Sequence, residues 1–263
     1  MTERIRTILE ELSRTAVDWR TTVYDVRLVE EQGRLILEGE VFDPALHDRV
    51  VQTLAAALPG MEIVDQLGVL INGPDYSWAI VSRPILNLRR QPDHSAELLT
   101  QATFGEPVEV LRRQGEWSFV RVSDGYLGWV HALGLLSVSQ EHACSYRADA
   151  SHLVGQGIVP CYDETGRQVS LLPFGVPVQV ERVVAGTAYL RTPEGVYWRV
   201  AEDALVKVEE RPRPNQEGDR AAVQHAGTLC RGSLSLGWID PLRLRLFRSG
   251  ADSAPLSGHE RAP

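Results

Sequence analysis

The feature that most constrains the fold is an internal repeat in the middle of the 263-residue chain. Segments 103–110 and 173–180 share an aromatic residue, a glycine, a proline and two valines at matching positions, 70 residues apart. The same offset aligns three later pairs: Val120 with Leu190, Asp124 with Glu194, and Val130 with Val200. A spacing shared over this length is expected when one small fold occurs twice.

Short strand patterns fill both copies of the repeat. Strand-like segments such as 85–88 and 117–122 are followed by turn residues, and the spacing between segments is short. Many short strands at close spacing favour a small sandwich or barrel. We therefore predict a mostly β protein that contains two small barrels, at residues 76–140 and 146–208.

The first 73 residues have a different pattern, which predicts a small α+β domain over residues 1–73. Apolar residues recur at helical spacing near the start, at Ile5, Ile8, Leu9 and Leu12. Two alternating segments with a turn at Gly33 follow. Asp43-Pro44 then starts a second helix, because Asp caps free N–H groups and Pro suits the first helical position. A last strand gives the order helix, strand, strand, helix, strand.

Composition excludes several classes of function. The net charge of -8 disfavours a nucleic-acid binder, which needs a basic surface. No segment approaches the ~20 apolar residues that span a bilayer. The charged start lacks a secretory signal, so we expect a cytoplasmic location, with the cell envelope as the alternative. Three cysteines without paired spacing predict neither a disulfide framework nor a zinc site, and we expect no metal and no cofactor.

The first copy of the repeat resembles a bacterial SH3-like domain. The resemblance rests on three motifs in order: Leu-Asn-Leu-Arg at 86–89, Gly-Glu-Trp-Ser-Phe-Val at 115–120, and Asp-Gly-Tyr-Leu-Gly-Trp-Val at 124–130. We expect Gly105 to allow a tight bend, Trp117 to fill the core, and Gly128 to let the chain pass close to a neighbour.

The second copy departs from these motifs. Thr187 stands for Trp117, Trp198 for Gly128, and the uniform offset of 70 puts Val159 where the first copy has Arg89. We therefore predict two barrels that share a scaffold but not a surface.

The element order of residues 1–73 resembles the BON domain of bacterial envelope proteins. This resemblance rests on the pattern of elements, and it implies a docking module with a lipid, envelope or protein partner. No residue of this module is predicted to carry chemistry.

The whole order resembles the front half of NlpC-type cell-wall cysteine peptidases. Those enzymes cleave the γ-D-glutamyl–diamino acid bond of peptidoglycan stem peptides with a cysteine in an Asp-Cys-Ser-Gly motif. Here Cys230 has no Asp before it and no Ser-Gly directly after it, and neither His225 nor His259 lies in a recognisable base motif. We interpret residues 209–263 as a linker and a remnant tail, left by truncation or a frame change, without the catalytic domain.

These observations predict a non-catalytic part of a peptidoglycan stem-peptide hydrolase that binds the cell wall and positions the substrate. Its partner would be a peptidoglycan peptide or another cell-wall fragment. We expect exposed aromatic residues in a groove, and Asp124 would meet a free amine. The candidate ligand-binding residues are Asp124, Tyr126, Trp129, Tyr197 and Trp198. Two alternatives stay open: an active cysteine endopeptidase that uses Cys230, and an SH3-like scaffold that binds a protein partner.

Overall fold

The computed structural model describes residues 2–16, 18–31 and 34–208. The predicted turn at Gly33, the candidate nucleophile Cys230 and the predicted tail at 209–263 lie outside these residues. The described chain is mostly β, as predicted, with one three-stranded and two seven-stranded sheets. None of its helices is both long and apolar enough to cross a bilayer.

The N-terminal module has the predicted order of elements: α1 (Thr2–Ala16), β1 (Tyr24–Glu31), β2 (Arg34–Val41), α2 (Pro44–Ala57) and β3 (Ile63–Val69). Strands β1 and β2 are antiparallel, and α2 connects β2 to the parallel strand β3. The Asp43 side chain caps α2 by accepting a hydrogen bond from the Leu46 N–H at 2.8 Å. One core cluster is formed by α2 and the sheet, around Leu37, Val50 and Leu54.

The first β module contains seven strands and a core made mostly of valine and leucine. Its strands are β4 (Ser77–Val81), β5 (Ile85–Arg89), β6 (Leu98–Thr103), β7 (Pro107–Gln114), β8 (Trp117–Arg121), β9 (Leu127–His131) and β10 (Leu135–Val138). They pair in the order β10-β4-β7-β8-β9-β5-β6. Strands from both ends of this order contribute to a single buried cluster, so the sheet curls around its core as a small barrel does.

The second β module repeats this arrangement after a short helix, α3 (Gln140–Ala148). Its strands are β11 (His152–Val154), β12 (Ile158–Tyr162), β13 (Gln168–Pro173), β14 (Pro177–Val184), β15 (Thr187–Arg191), β16 (Tyr197–Ala201) and β17 (Leu205–Lys207). The pairing order, β17-β11-β14-β15-β16-β12-β13, is that of the first module strand for strand. The sequence repeat therefore corresponds to two β modules with the same strand order.

The uniform offset of 70 is wrong at the start of each module. Arg89 pairs with Trp129 in the first sheet, and Tyr162 pairs with Arg199 in the second. The counterpart of Arg89 is therefore Tyr162, not Val159. The cause is the β12–β13 connection, which is three residues shorter than the β5–β6 connection and changes the offset to 73 upstream of it.

Side chains shared between modules join them. Phe42 and Leu70 of the N-terminal module form one buried cluster with Leu111 and Leu127 of the first β module. Phe104, in the β6–β7 turn of the first module, is 1% exposed and belongs to the core cluster of the second. The adjacent Gly105 has a φ of +78°, as expected for the predicted tight bend.

Candidate functional site

The outer surface of β8 and β9 in the first module carries a row of aromatic side chains. Ser118 and Val120 are fully buried, so the alternation of the strand turns Trp117 and Phe119 outward. On the neighbouring strand, His131 pairs with Trp117 and Trp129 pairs with Phe119. The rings of Phe119 and Trp129 are 5.2 Å apart.

His94 completes this surface from the β5–β6 connection. Its ring lies 4.8 Å from the Trp117 ring and stacks on the His131 ring at 5.6 Å. We call the set Trp117, Phe119, Trp129, His131 and His94 the aromatic face.

Hydrogen bonds fix the connection that carries His94. The Arg89 guanidinium donates to the Ala96 carbonyl at 2.6 Å. The carboxylate of Asp93 accepts from both the N–H and the hydroxyl of Ser95 at 2.6 Å. The hydrogen bond from the Ser95 side chain is the main cause that lowers the pKa of Asp93. The connection therefore holds an ionised carboxylate next to His94.

The orientation of His131 is also set by the backbone. Its Nδ1 accepts a hydrogen bond from the Leu133 N–H at 3.3 Å, which leaves Nε2 to carry the proton of the neutral ring. Nε2 lies 3.9 Å from a carboxylate oxygen of Glu116, whose side chain is exposed. The aromatic face thus offers ring surfaces, imidazole hydrogen-bonding groups and two bordering carboxylates, Asp93 and Glu116.

Asp124 and Tyr126 lie at the other end of β8 and β9, next to the N-terminal module. The Asp124 carboxylate accepts the Tyr126 N–H at 3.1 Å, so it shapes the turn. The guanidinium of Arg20 lies 6.0 Å from the Tyr126 ring, and the Arg20 carbonyl accepts the Leu127 N–H at 2.7 Å. These two candidates therefore lie at a contact between modules.

The other three candidates do not form one groove. Trp129 is 8% exposed, so the expectation of an exposed ring is wrong, because Phe119 and the sheet cover it. Tyr197 and Trp198 are neighbours on β16 and point to opposite sides. The Tyr197 hydroxyl donates to Glu181 at 2.7 Å, whereas the Trp198 ring stacks on Phe104 at 5.0 Å.

The positions of Trp117, His94 and His131 on the aromatic face differ from what the sequence pattern predicts. Trp117 was expected in the core, but it is half-buried on the outside, because the buried positions of β8 are Ser118 and Val120. The signal that places it correctly is the strand alternation of 117–121. Nothing in the sequence places His94 and His131 together, since the β5–β6 connection brings them into contact.

Groups suited to metal or nucleophilic chemistry are scarce in the described part of the chain. Within it, no cluster of three or more His, Cys, Asp or Glu side chains could hold a metal ion. Cys161 is buried in the second core, and burial raises the pKa of its thiol to about 12. A thiol held neutral in this way is a poor nucleophile at neutral pH.

Comparison with protein families identifies the segment that carries the aromatic face. Residues 88–135 match the family described as the bacterial dipeptidyl-peptidase Sh3 domain. The first β module is therefore similar to the SH3 domain of these bacterial peptidases, and all five residues of the aromatic face fall within the matched segment. No curated protein sequence matches the chain significantly.

Three solved structures are similar over part of the chain. An NlpC/P60 family protein from Bacillus cereus ATCC 10987 is 16% identical with a TM-score of 0.46, over 58% of this chain and 63% of its own. NlpC1 from Trichomonas vaginalis is 16% identical with a TM-score of 0.23, over 58% and 54%. An NlpC/P60 endopeptidase from Photobacterium damselae subsp. piscicida is 11% identical with a TM-score of 0.38, over 81% and 54%.

The matched region spans less than two thirds of each of these three structures. All three TM-scores are below 0.5, so the likeness carries no weight for the fold or the function of this chain.

Proposed function

We propose that this chain is a non-catalytic, substrate-positioning part of a cell-wall stem-peptide hydrolase. In this proposal the aromatic face of the first β module receives a peptidoglycan peptide. The second β module and the N-terminal module hold the first module in place.

The observation that carries the proposal is the coincidence of the aromatic face with the matched segment. Trp117 and His94 project from the segment that is similar to a bacterial dipeptidyl-peptidase SH3 domain. The deeply buried core of the same module consists of aliphatic side chains. The half-buried Trp117 ring and the exposed His94 ring lie outside this core and are available for a ligand.

The chemistry of the aromatic face suits a stem peptide. Such peptides carry ammonium and carboxylate groups on a short, partly apolar chain. The Trp117 ring offers a flat apolar surface, and cations bind favourably to indole faces. Asp93 and Glu116 border the site and attract an ammonium group, while the imidazoles of His94 and His131 can hydrogen-bond amide groups.

The non-catalytic part of the proposal rests on the described residues. Cys161 lies in the core of the second module, and burial keeps its thiol neutral. The candidate Cys230 lies outside the described residues, so the rival hypothesis of an active cysteine endopeptidase is tested directly with the whole protein.

The binding experiment compares one substitution with a matched control. Trp117→Thr installs the residue that the second module has at the equivalent position, Thr187, so the fold is retained. We expect this variant to bind a muramyl tripeptide at least about tenfold more weakly by calorimetry, since a central tryptophan contributes on the order of 2 kcal/mol. Tyr189→Ala, which changes the second-module counterpart of Phe119, should leave binding unchanged.

Two results would contradict the proposal. The first is equal binding of the tripeptide by the wild-type protein and the Trp117→Thr variant. The second is cleavage of the tripeptide by the purified wild-type protein that disappears in a Cys230→Ala variant, which would make the chain an enzyme.

A further inference from the structure

A pocket of about 430 Å³ lies between helix α3 and the β15–β16 turn of the second module. Tyr146 forms part of its wall and is held by two hydrogen bonds. Its hydroxyl donates to the Arg191 carbonyl at 2.9 Å, and its carbonyl accepts from the Gln179 amide at 2.7 Å. The pocket therefore has a fixed wall.

At the same place in the first module the charged side chains pair with each other. There the counterparts of Gln179 and Arg191 are Glu109 and Arg121, and Tyr76, just before β4, contacts Glu109. Glu109 accepts hydrogen bonds from the Tyr76 hydroxyl at 3.0 Å and from the Arg121 guanidinium at 2.5 Å. Phe42 of the N-terminal module covers the Arg121 guanidinium at 4.7 Å. The first module thus neutralises its arginine internally and buries it.

In the second module this internal pairing is lost. Gln179 replaces the carboxylate, and the exposed Arg191 forms no ion pair within the described part of the chain. Three carboxylates line the same pocket, from Glu141, Asp149 and Glu194, and none of them has an ion-pair partner among the described residues either. The pocket therefore presents charged side chains of both signs that form no ion pair with one another.

A buried hydroxyl in the pocket wall gives a second, independent indication of a ligand. Thr192 is 1% exposed and lines the pocket, and among the described residues its Oγ1 has no hydrogen-bond partner. The first module has the apolar Val122 at this position. A buried hydroxyl without a partner costs about 1–3 kcal/mol, so a polar group here lowers stability unless something else uses it. A rotation of the Thr192 side chain toward the pocket would let a carboxylate bound next to Arg191 supply the missing hydrogen-bond partner.

We propose that this pocket is a second binding site, which takes a short peptide with a free ammonium group and a free carboxylate. Arg191 and Thr192 bind the carboxylate, and the acidic side chains on α3 and the turn bind the ammonium. The excess of carboxylates over guanidinium groups selects a peptide that carries a further basic side chain. This site is separate from the aromatic face and does not depend on the role proposed for that face.

The test uses L-alanyl-L-lysine with free ends, and the same dipeptide acetylated at its N-terminus and amidated at its C-terminus. We expect calorimetry on the whole protein to show one site for the free dipeptide. The blocked dipeptide should bind at least about tenfold more weakly, which corresponds to ~1.4 kcal/mol. Equal binding of the two dipeptides, or no saturable heat up to about 10 mM of the free dipeptide, would overturn the proposal.

Variants then assign the residues. Arg191→Gln should weaken binding at least about tenfold, whereas Arg167→Gln, at an exposed arginine outside the pocket, should leave it unchanged. Thr192→Val installs the first-module residue, and it should weaken binding without lowering the melting temperature. An unchanged affinity in both Arg191→Gln and Thr192→Val would refute the assignment.

Discussion

The pair of substitutions Phe104→Ala and Phe174→Ala tests whether the two β modules share a core. Both residues occupy the same turn, followed by glycines with φ of +78° and +83°. The glycine N–H donates to an equivalent strand in each case, to the Val81 carbonyl at 2.9 Å and to the Val154 carbonyl at 2.8 Å. Phe104 is 1% exposed and Phe174 is 49% exposed. The two positions therefore share their local structure and differ in burial.

The burial difference sets the expected magnitudes. Removing a fully buried phenylalanine ring costs about 3–5 kcal/mol, because the transfer free energy is lost and a cavity remains. Full burial of such a side chain is worth about 1.5–3 kcal/mol, so the half-exposed Phe174 should cost about 1 kcal/mol. We expect Phe104→Ala to lower the free energy of unfolding by about 2–4 kcal/mol more than Phe174→Ala does.

Urea denaturation followed by tryptophan fluorescence measures this difference, and the ring of Trp198, 5.0 Å from Phe104, reports on the junction. Loss of Phe104 should also separate the unfolding of the two modules, so that the single transition broadens or divides. A loss for Phe104→Ala no greater than that for Phe174→Ala would refute the shared core.

Three further predictions follow from buried polar groups. Ser118→Ala should raise the free energy of unfolding by about 1 kcal/mol, because the buried hydroxyl has no hydrogen-bond partner in the described part of the chain and the second module has Ala188 there. Thermal denaturation checks this, and a clear loss of stability would contradict it. Glu109→Gln should lower the free energy of unfolding, measured by urea denaturation, by about 3 kcal/mol. The substitution leaves the Arg121 guanidinium, which is 14% exposed, without its carboxylate partner. A loss below about 1 kcal/mol would contradict this prediction. Burial raises the pKa of Cys161 from 9.0 to about 12, so only the unfolded thiol ionises in this window. The free energy of unfolding should therefore fall by up to about 1.4 kcal/mol per pH unit as the pH rises through the window. A Cys161→Ala variant should lose less stability between about pH 8, roughly one unit below the window, and about pH 11, roughly two units above its lower limit.

The repeat predicted two copies of one small fold, and the two β modules have the same strand order. Alternating apolar residues define which faces of the strands are buried, and equal spacing of those residues gives equal strand order. The alignment failed only before the β5–β6 and β12–β13 connections. Loop lengths change without affecting the core, so a uniform offset misassigned Arg89, whose counterpart is Tyr162.

The candidate site was harder to predict because the size of a residue and its position in the strand led to different predictions. The size of Trp117 suggested a core residue, but the core of this module is filled by aliphatic side chains from several strands. The alternation of Trp117 with the buried Ser118 and Val120 decides the question in favour of the outer face. The exposure expected for Trp129 failed for a related reason, since Phe119 on the neighbouring strand covers its ring.

The pocket of the second module could not be predicted from the sequence. It forms because α3 places Tyr146 against the second module, at a distance set by tertiary packing. Gly105 illustrates how tight this packing is, since a Cβ added there would lie 3.0 Å from the Tyr146 ring. No local pattern in residues 139–149 indicates that contact.

The placement of Phe104 has a consequence for dissecting the protein into fragments. A fragment that ends after α3 would leave this ring in water and deprive it of the Trp198 stack. The reciprocal fragment would open the interior of the second module where the ring is inserted. Each fragment would then be prone to aggregate or to rearrange. Ligand affinities measured on isolated fragments would therefore not represent those of the intact protein.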